Sequence, residues 1–292
     1  MITTQKAYHV ANKSPLKRKS WNTIMLTVLG IFFTIVMIFP LYWVIVSSLK
    51  NTTELFSTPP TFYPHQIDWS PYISNFIQNT DIWRYMGNSL QIALGTMLLS
   101  LVLGAPMAYG LARLPVKGKQ GLLLAFLVVQ MFPSIMLALP LFVIFSQIGL
   151  VNSIPAVILA ITTRTLPFAT LVMRPYFLSL PRDLEDAAFI DGCNLWGAFY
   201  RIIMPLSRPG LLTVGALTFL MGWSDFLFPL TLISDDAKRP LTLGIYKFIG
   251  EYGVRWNDLM AVSVVAALPI ILVFIFGQRY ITSGLVAGAV KE

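Results

Sequence analysis

Cysteine and histidine are almost absent from this chain. Cys193 is the only cysteine, which excludes an internal disulfide framework. His9 and His65 are the only histidines, so a multi-histidine metal site is not available. Charge is scarce too: Asp, Glu, Lys and Arg make up 12% of the 292 residues, where a soluble protein carries about a quarter. Catalytic signatures are missing as well. There is no Gly-x-x-x-x-Gly-Lys-Ser/Thr phosphate loop, because Gly118-Lys119 is followed by Gln120 and Arg113 stands where the first glycine should be. Neither His-Glu-x-x-His nor Gly-x-Ser-x-Gly occurs, which removes zinc and serine hydrolase chemistry. The sequence therefore predicts no catalytic residue, no metal site and no cofactor bound by this chain.

Apolar sequence fills the space left by charge. Hydrophobic residues make up 56% and mean hydropathy is +0.70. Runs of about 20 apolar residues, enough to cross ~30 Å of hydrocarbon, predict spans near 22–48, 88–112, 121–147, 154–177, 209–231 and 259–279. The expected fold is all-α, a polytopic bundle of six transmembrane helices. It forms a single membrane domain over 22–283, after an N-terminal segment 1–21 and before a tail 284–292. Lys13, Lys17, Arg18 and Lys19 ahead of an apolar run imitate a secretory signal. The run from Ile24 to Val46 exceeds an h-region of about 7–15 residues and lacks a small-x-small cleavage site, so it reads as an uncleaved first span.

The net charge of +8 sits beside the spans, which argues for the membrane and against nucleic acid. One side of the bilayer would hold Lys6, Lys13, Lys17, Arg18, Lys19, Arg113, Lys117, Lys119, Arg174, Arg182, Arg201, Arg208, Arg279 and Lys291. The other would hold only Lys50, Arg84, Lys238, Arg239, Lys247 and Arg255. The richer side is cytoplasmic, which places both termini and the polar segment 179–208 there. Trp21, Tyr42, Trp43, Trp83, Tyr85, Trp256 and Tyr280 fall near the interfaces, as an aromatic belt. The external segment Leu49–Gly87, with Pro59, Pro60, Pro64 and Pro71, reads as a folded loop or short helices. In the second span Thr96, Ser100, Gly104, Ala108 and Ala112 make a stripe of small residues suited to close helix packing, and Pro106 is expected to bend the helix.

The segment 179–208 is polar and bounded by proline. Ser179, with Pro181 two residues on, reads as a helix start, and Asp183, Glu185 and Asp186 suit its first turn. Leu184, Ala187, Ala188 and Asp191 share one face at i, i+3, i+4 and i+7. Gly192 suits a left-handed helix end, Asn194 caps a second helix from Leu195 to Met204, and Pro205 ends it. Pattern alone suits equally a surface connector and a docking element for a soluble partner.

These residues resemble the "EAA" coupling loop of permease subunits in binding-protein-dependent ATP-binding-cassette importers. Asp186-Ala187-Ala188, Asp191-Gly192, Phe199 and the run Met204-Pro205-Leu206-Ser207-Arg208-Pro209 hold the family's positions. Asn88-Ser89, Ala108-Tyr109-Gly110-Leu111-Ala112-Arg113, Trp223-Ser224-Asp225-Phe226 and the tail Gly284–Lys291 are similar to its carbohydrate-type branch. The resemblance implies an inner-membrane permease that pairs with a second permease and receives a sugar from a periplasmic or tethered binding protein. It also implies two cytoplasmic ATPase subunits, which carry the ATP and magnesium. Leu184, Glu185, Asp186, Ala187, Ala188, Asp191 and Gly192 would couple to them. The family glutamate is Asp186 here, so the family's salt bridge to the ATPase passes to Glu185 or tilts the helix.

Polar residues inside spans are costly unless paired or wet. Arg164 and Asp225 are accordingly read as an ion pair, as contacts to the partner permease, or as lining of the translocation pathway. In the last case an acidic sugar becomes a plausible cargo. Gln130 and Phe132, with Pro133 and Pro140, give the third span the mixed polar and kinked character of a moving transporter helix; Phe132, Phe142 and Trp223 are candidates for stacking on sugar, with plain packing the favoured reading for them. The alternatives are a permease for another solute, such as an amino acid or phosphate ester, and an ion-coupled carrier. For the carrier Asp225 is a poor match, being alone and off-centre.

Overall fold

Four of the apolar runs become membrane-length helices although each contains a proline, and two of the six expected spans are broken or shortened instead. The computed structural model describes residues 21–250 and 253–289, with side-chain surroundings from 23 to 278. The expected N-terminal basic segment up to residue 20, residues 290–292 of the tail, and the side chains of Trp21, Arg279 and Tyr280 lie outside the described residues.

Eleven helices carry the argument in chain order. They are α1 Trp21–Ser48, α2 Asp81–Arg113, α3 Lys119–Met131, α4 Ser134–Gln147, α5 Ile154–Ser179, α6 Asp183–Ile190, α7 Leu195–Leu206, α8 Arg208–Ser224, α9 Leu227–Leu232, α10 Leu241–Tyr246 and α11 Trp256–Ala289. The strands β1 Ile249–Gly250 and β2 Gly253–Val254 pair antiparallel before α11. The segment between α1 and α2 holds short helices at Thr52–Leu55 and Ser70–Ile73 and a π turn at Ser74–Gln78, in keeping with the folded loop expected there.

Helices α1, α2, α5 and α11 are each long and apolar enough to cross a membrane; the count reaches six if each bent pair is taken as one span. The expected third span is not one rod. It breaks between Met131 and Ser134 into α3 and α4, which meet at 101°. Phe132 precedes Pro133, whose ring disfavours helical dihedrals in the residue before it. Phe132 accordingly takes φ −71°, ψ 129°. With 13 and 14 residues, each arm is about 20 Å long, short of ~30 Å of hydrocarbon. The expected fifth span is likewise shorter than 209–231. It ends at Ser224, because Asp225 is extended, and the chain restarts as α9.

The core centres on α2 against α5, with α8 laid across both. The small-residue stripe makes this possible. Thr96, Ser100, Gly104, Ala108 and Ala112 are all buried, Ser100 Oγ lies 2.6 Å from Thr165 Oγ1, and helix α2 continues through Pro106. By contrast α1 buries none of its most apolar window. A helix that is apolar all round and uncovered in one chain is made to face lipid or a neighbouring subunit.

Candidate functional site

The expected docking corner, residues 183–206, lies at one end of the bundle. Ser179 does not start the first docking helix, as its spacing to Pro181 suggests. It ends α5, and its Oγ donates to the Tyr176 carbonyl at 2.8 Å. Helix α6 starts at Asp183, with Asp183, Glu185 and Asp186 in its first turn. Its end is a complete Schellman motif: Cys193 N–H donates to Ala188 O at 2.9 Å and Gly192 N–H to Phe189 O at 3.1 Å. Gly192 holds φ 82°, the left-handed conformation that its place in the sequence predicts. Asn194 Oδ1 accepts the Gly197 N–H at 2.8 Å and so caps α7. Pro205 does not end α7. A π turn at Phe199–Ile203 absorbs it, and the helix runs to Leu206 before meeting α8 at 78°.

The faces of α6 differ from the expected pattern. Glu185 and Ala188 are buried and Leu184 is half-buried, whereas Asp186, Ala187, Asp191 and Gly192 face outward. The buried face follows i and i+3 from Glu185, because the partners there are polar as well as apolar. Glu185 Oε2 lies 3.4 Å from Arg113 Nε, and the two side chains are only 9% and 6% exposed. The same guanidinium donates through Nη2 to the Leu180 carbonyl at 2.6 Å. Phe199, which fills the family's aromatic position, is 1% exposed. Its ring lies 4.8 Å from Tyr109 and 6.2 Å from Phe177, which pins α7 to α2 and α5. The outer face carries Phe189, Ile190 at 86% exposure, Trp196 and Tyr200, the last two stacked at 5.9 Å.

The polar membrane residues divide into two groups. Gln130 Nε2 donates to the Arg164 carbonyl at 2.7 Å, and Arg164 donates to Ser134 Oγ, so α3, α4 and α5 meet at the proline break. Arg164 and Asp225 share a cleft of about 400 Å³ with Ile161, Met221, Ser224, Phe226 and Leu227. They form no direct ion pair there. Asp225 Oδ1 instead accepts the Phe228 N–H at 3.0 Å and caps α9. Phe132 is 47% exposed at the break. Trp223 departs from the expected pathway: it is 5% exposed, stacks on Phe219 and donates to the Ala266 carbonyl at 3.2 Å. It is a core residue.

A charged hub that the sequence did not announce closes the opposite end. Asp236 accepts from Lys247, from Tyr85 Oη at 2.7 Å and from Arg84 at 3.2 Å, and pairs with Arg239 at 3.3 Å. The hydrogen bond from Lys247 holds the Asp236 carboxyl below its ordinary value. Asn88, in the Asn-Ser pair that opens the expected second span, donates to the carbonyls of Ala237 and Arg239 at 2.9 Å. Ser89 Oγ accepts the Leu241 N–H at 2.8 Å. This pair ties α2 to the connection between α9 and α10.

Residues 100–286 match the family described as binding-protein-dependent transport system inner membrane component. The chain belongs to this family. It is 37% identical over 257 residues to a sulfoquinovosyl glycerol transport system permease protein from Agrobacterium fabrum, covering 87% of this chain and 89% of the relative. It is 35% identical over 283 residues to an arabinooligosaccharides transport system permease protein from Halalkalibacterium halodurans, covering 94% and 100%. Its fold matches a chain of a bacterial ABC transporter involved in the import of the acidic polysaccharide alginate, with TM-score 0.77 and 22% identity over 90% of this chain and 98% of that one. As a family permease it is an integral component of the inner membrane, and the two-helix corner 183–206 lies within the matched residues.

Proposed function

We infer that this permease forms half of the translocation pathway of an ATP-driven importer for a sugar or oligosaccharide. The observation that carries this reading is the docking corner: two short helices fixed by buried anchors, with acidic and apolar side chains turned outward. Asp183 and Asp186, with Phe189 and Ile190 beyond them, present a mixed acidic and apolar surface to a soluble partner. That partner is a pair of cytoplasmic ATPase subunits, which bind the ATP and magnesium that this chain has no phosphate loop to hold. The uneven distribution of Lys and Arg supports a cytoplasmic position for the corner and both termini. The uncovered apolar faces of α1 and α3 suit a second permease subunit, and the charged hub lies on the side from which a binding protein delivers cargo.

The relatives named for sulfoquinovosyl glycerol and arabinooligosaccharide transport support a carbohydrate cargo. The Arg164–Asp225 cleft is the part of the pathway this chain supplies. One cation and one acid in a membrane-level cleft offer charged hydrogen bonds to a sugar ring or an acidic substituent; Ser134 holds the Arg164 guanidinium and Gln130 its backbone carbonyl. When the ATPases close, α6 and α7 move with them, and the cleft changes the side of the membrane to which it opens.

The experiment is uptake into liposomes containing the full complex. Uptake that requires ATP and the binding protein supports the reading. Uptake driven by a pH gradient alone, or by the permease without its ATPase, overturns it in favour of a secondary carrier.

A further inference from the structure

We propose that the buried Arg113–Glu185 pair is the joint through which movement of docking helix α6 reaches membrane helix α2, and that Glu185 is a positioning residue turned away from the ATPase. The inference rests on the docking role of α6 and goes beyond it by naming the internal link.

Helix α6 is tied to the preceding helix only by Leu180-Pro181-Arg182. A tether that short and free of side-chain bridges would let α6 swing without moving the bundle. Arg113, the last residue of α2, removes that freedom. Its guanidinium holds the end of α5 through the Leu180 carbonyl at 2.6 Å and faces the first turn of α6 through Glu185 at 3.4 Å. Three helices therefore meet at one planar group. Arginine does not give up its proton in proteins, so the charge cannot be discharged to ease a separation. Both side chains are more than nine-tenths buried. Pulling them apart would leave opposite charges unpaired in poorly solvated surroundings, which is far costlier than sliding one apolar face over another.

Stability alone does not account for the pair. Arg113 Nε faces Glu185 Oε2 at 3.4 Å without hydrogen-bond geometry, and Tyr109 of the same helix α2 lies beside the Glu185 carboxylate, so the pair is imperfectly satisfied. A static joint would be served as well by two apolar side chains. What the ion pair adds is direction: it fixes which turn of α6 faces which end of α2. It also leaves Asp183 and Asp186, both exposed, free to meet the partner.

The test uses the complete reconstituted complex with its binding protein. ATP- and binding-protein-dependent uptake by the wild-type complex comes first; its absence would fail the functional reading and not this one. Glu185→Gln keeps the side chain's shape and removes its charge. The variant is expected to retain the ATPase subunits in wild-type ratio while ATP consumed per cargo molecule rises about tenfold. The double variant Arg113→Glu with Glu185→Arg is expected to recover most of that loss. Wild-type coupling in Glu185→Gln overturns the proposal, and so does loss of the ATPase from that variant, which would make Glu185 a partner contact. If the single variants fail to fold, the double variant decides: recovered transport supports the joint, and an assembled complex that remains uncoupled overturns it.

Discussion

Gly222 lies so close to Ala93 that a β-carbon at position 222 would fall 2.9 Å from the Ala93 Cα. The obstacle is backbone, so no rotamer change can relieve it, and Thr96 Cβ, one turn further along α2, stands 3.3 Å away. Helix α8 can approach α2 at this depth only because position 222 has no side chain. Gly222→Ala should therefore force the two helices apart and cost about 1–3 kcal/mol. The thermal unfolding midpoint of the purified permease complex should fall. An unchanged midpoint would show that the helices do not pack this way.

Gly192 gives a contrasting case, because nothing lies within 4 Å of its virtual β-carbon. Its requirement is conformational. At φ 82° a branched L-residue pays roughly 1–2 kcal/mol, whereas asparagine tolerates the left-handed region. Gly192→Val should loosen the corner and reduce ATPase co-purification and transport, and Gly192→Asn should retain both. Equal loss in the two variants would point to a need for a small surface there instead of a left-handed turn.

The contrast between these glycines shows what a single sequence can reveal. Gly192 is legible, since helix end, capping asparagine and glycine are neighbours in the chain and the Schellman turn is a local structure. The membrane helices are legible for a similar reason: length and apolarity are local. Gly222 is not, because its constraint comes from Ala93, which is distant in the chain. Glu185 is the sharper example. Local pattern placed it with Asp183 and Asp186 in one first turn without separating them, and only the approach of Arg113 on α2 explains why it turns inward while Asp186 does not. The Phe132-Pro133 break was half legible. The prolines announced a kink, but a bend of 101° depends on how the two arms pack against α5 and α9. For Trp223 the missing information was again long-range: Phe219 lies on its own helix, but the Ala266 carbonyl that its indole meets belongs to α11.

Asp236 gives a pH dependence with a defined sign. Its folded value lies below the ordinary carboxylate value. The stability it contributes is thus fully present above the unfolded pKa, near 4, and is lost as pH falls through that value toward the depressed one. Lys247 is shifted upward, away from this window, so the change belongs to the carboxylate. Asp236→Asn should lower the unfolding midpoint at pH 7, and the gap to wild type should narrow between about pH 5 and pH 3. A gap that stays constant across this range would mean that the hub is held by shape and not by charge.

Asp225 has two roles in the structure, and two substitutions separate them. Its Oδ1 caps α9 by accepting the Phe228 N–H, while its charge shares a cleft with Arg164. Asparagine keeps a cap acceptor and removes the charge; alanine removes both. If the cap alone matters, Asp225→Asn should transport like wild type and Asp225→Ala should lose about 1 kcal/mol of stability. Because the cleft is proposed to meet cargo, the expected result is different. Asp225→Asn should keep its unfolding midpoint yet change the cargo concentration for half-maximal uptake. The direction of that change carries information about the cargo. Removing the acid leaves Arg164 without its nearby counter-charge, which favours an anionic sugar and leaves a neutral one weaker or unaffected. Parallel uptake of a neutral and an acidic oligosaccharide by Asp225→Asn would therefore report on the sign of charge that the pathway prefers. Identical uptake of both, at wild-type levels, would remove this cleft from the pathway.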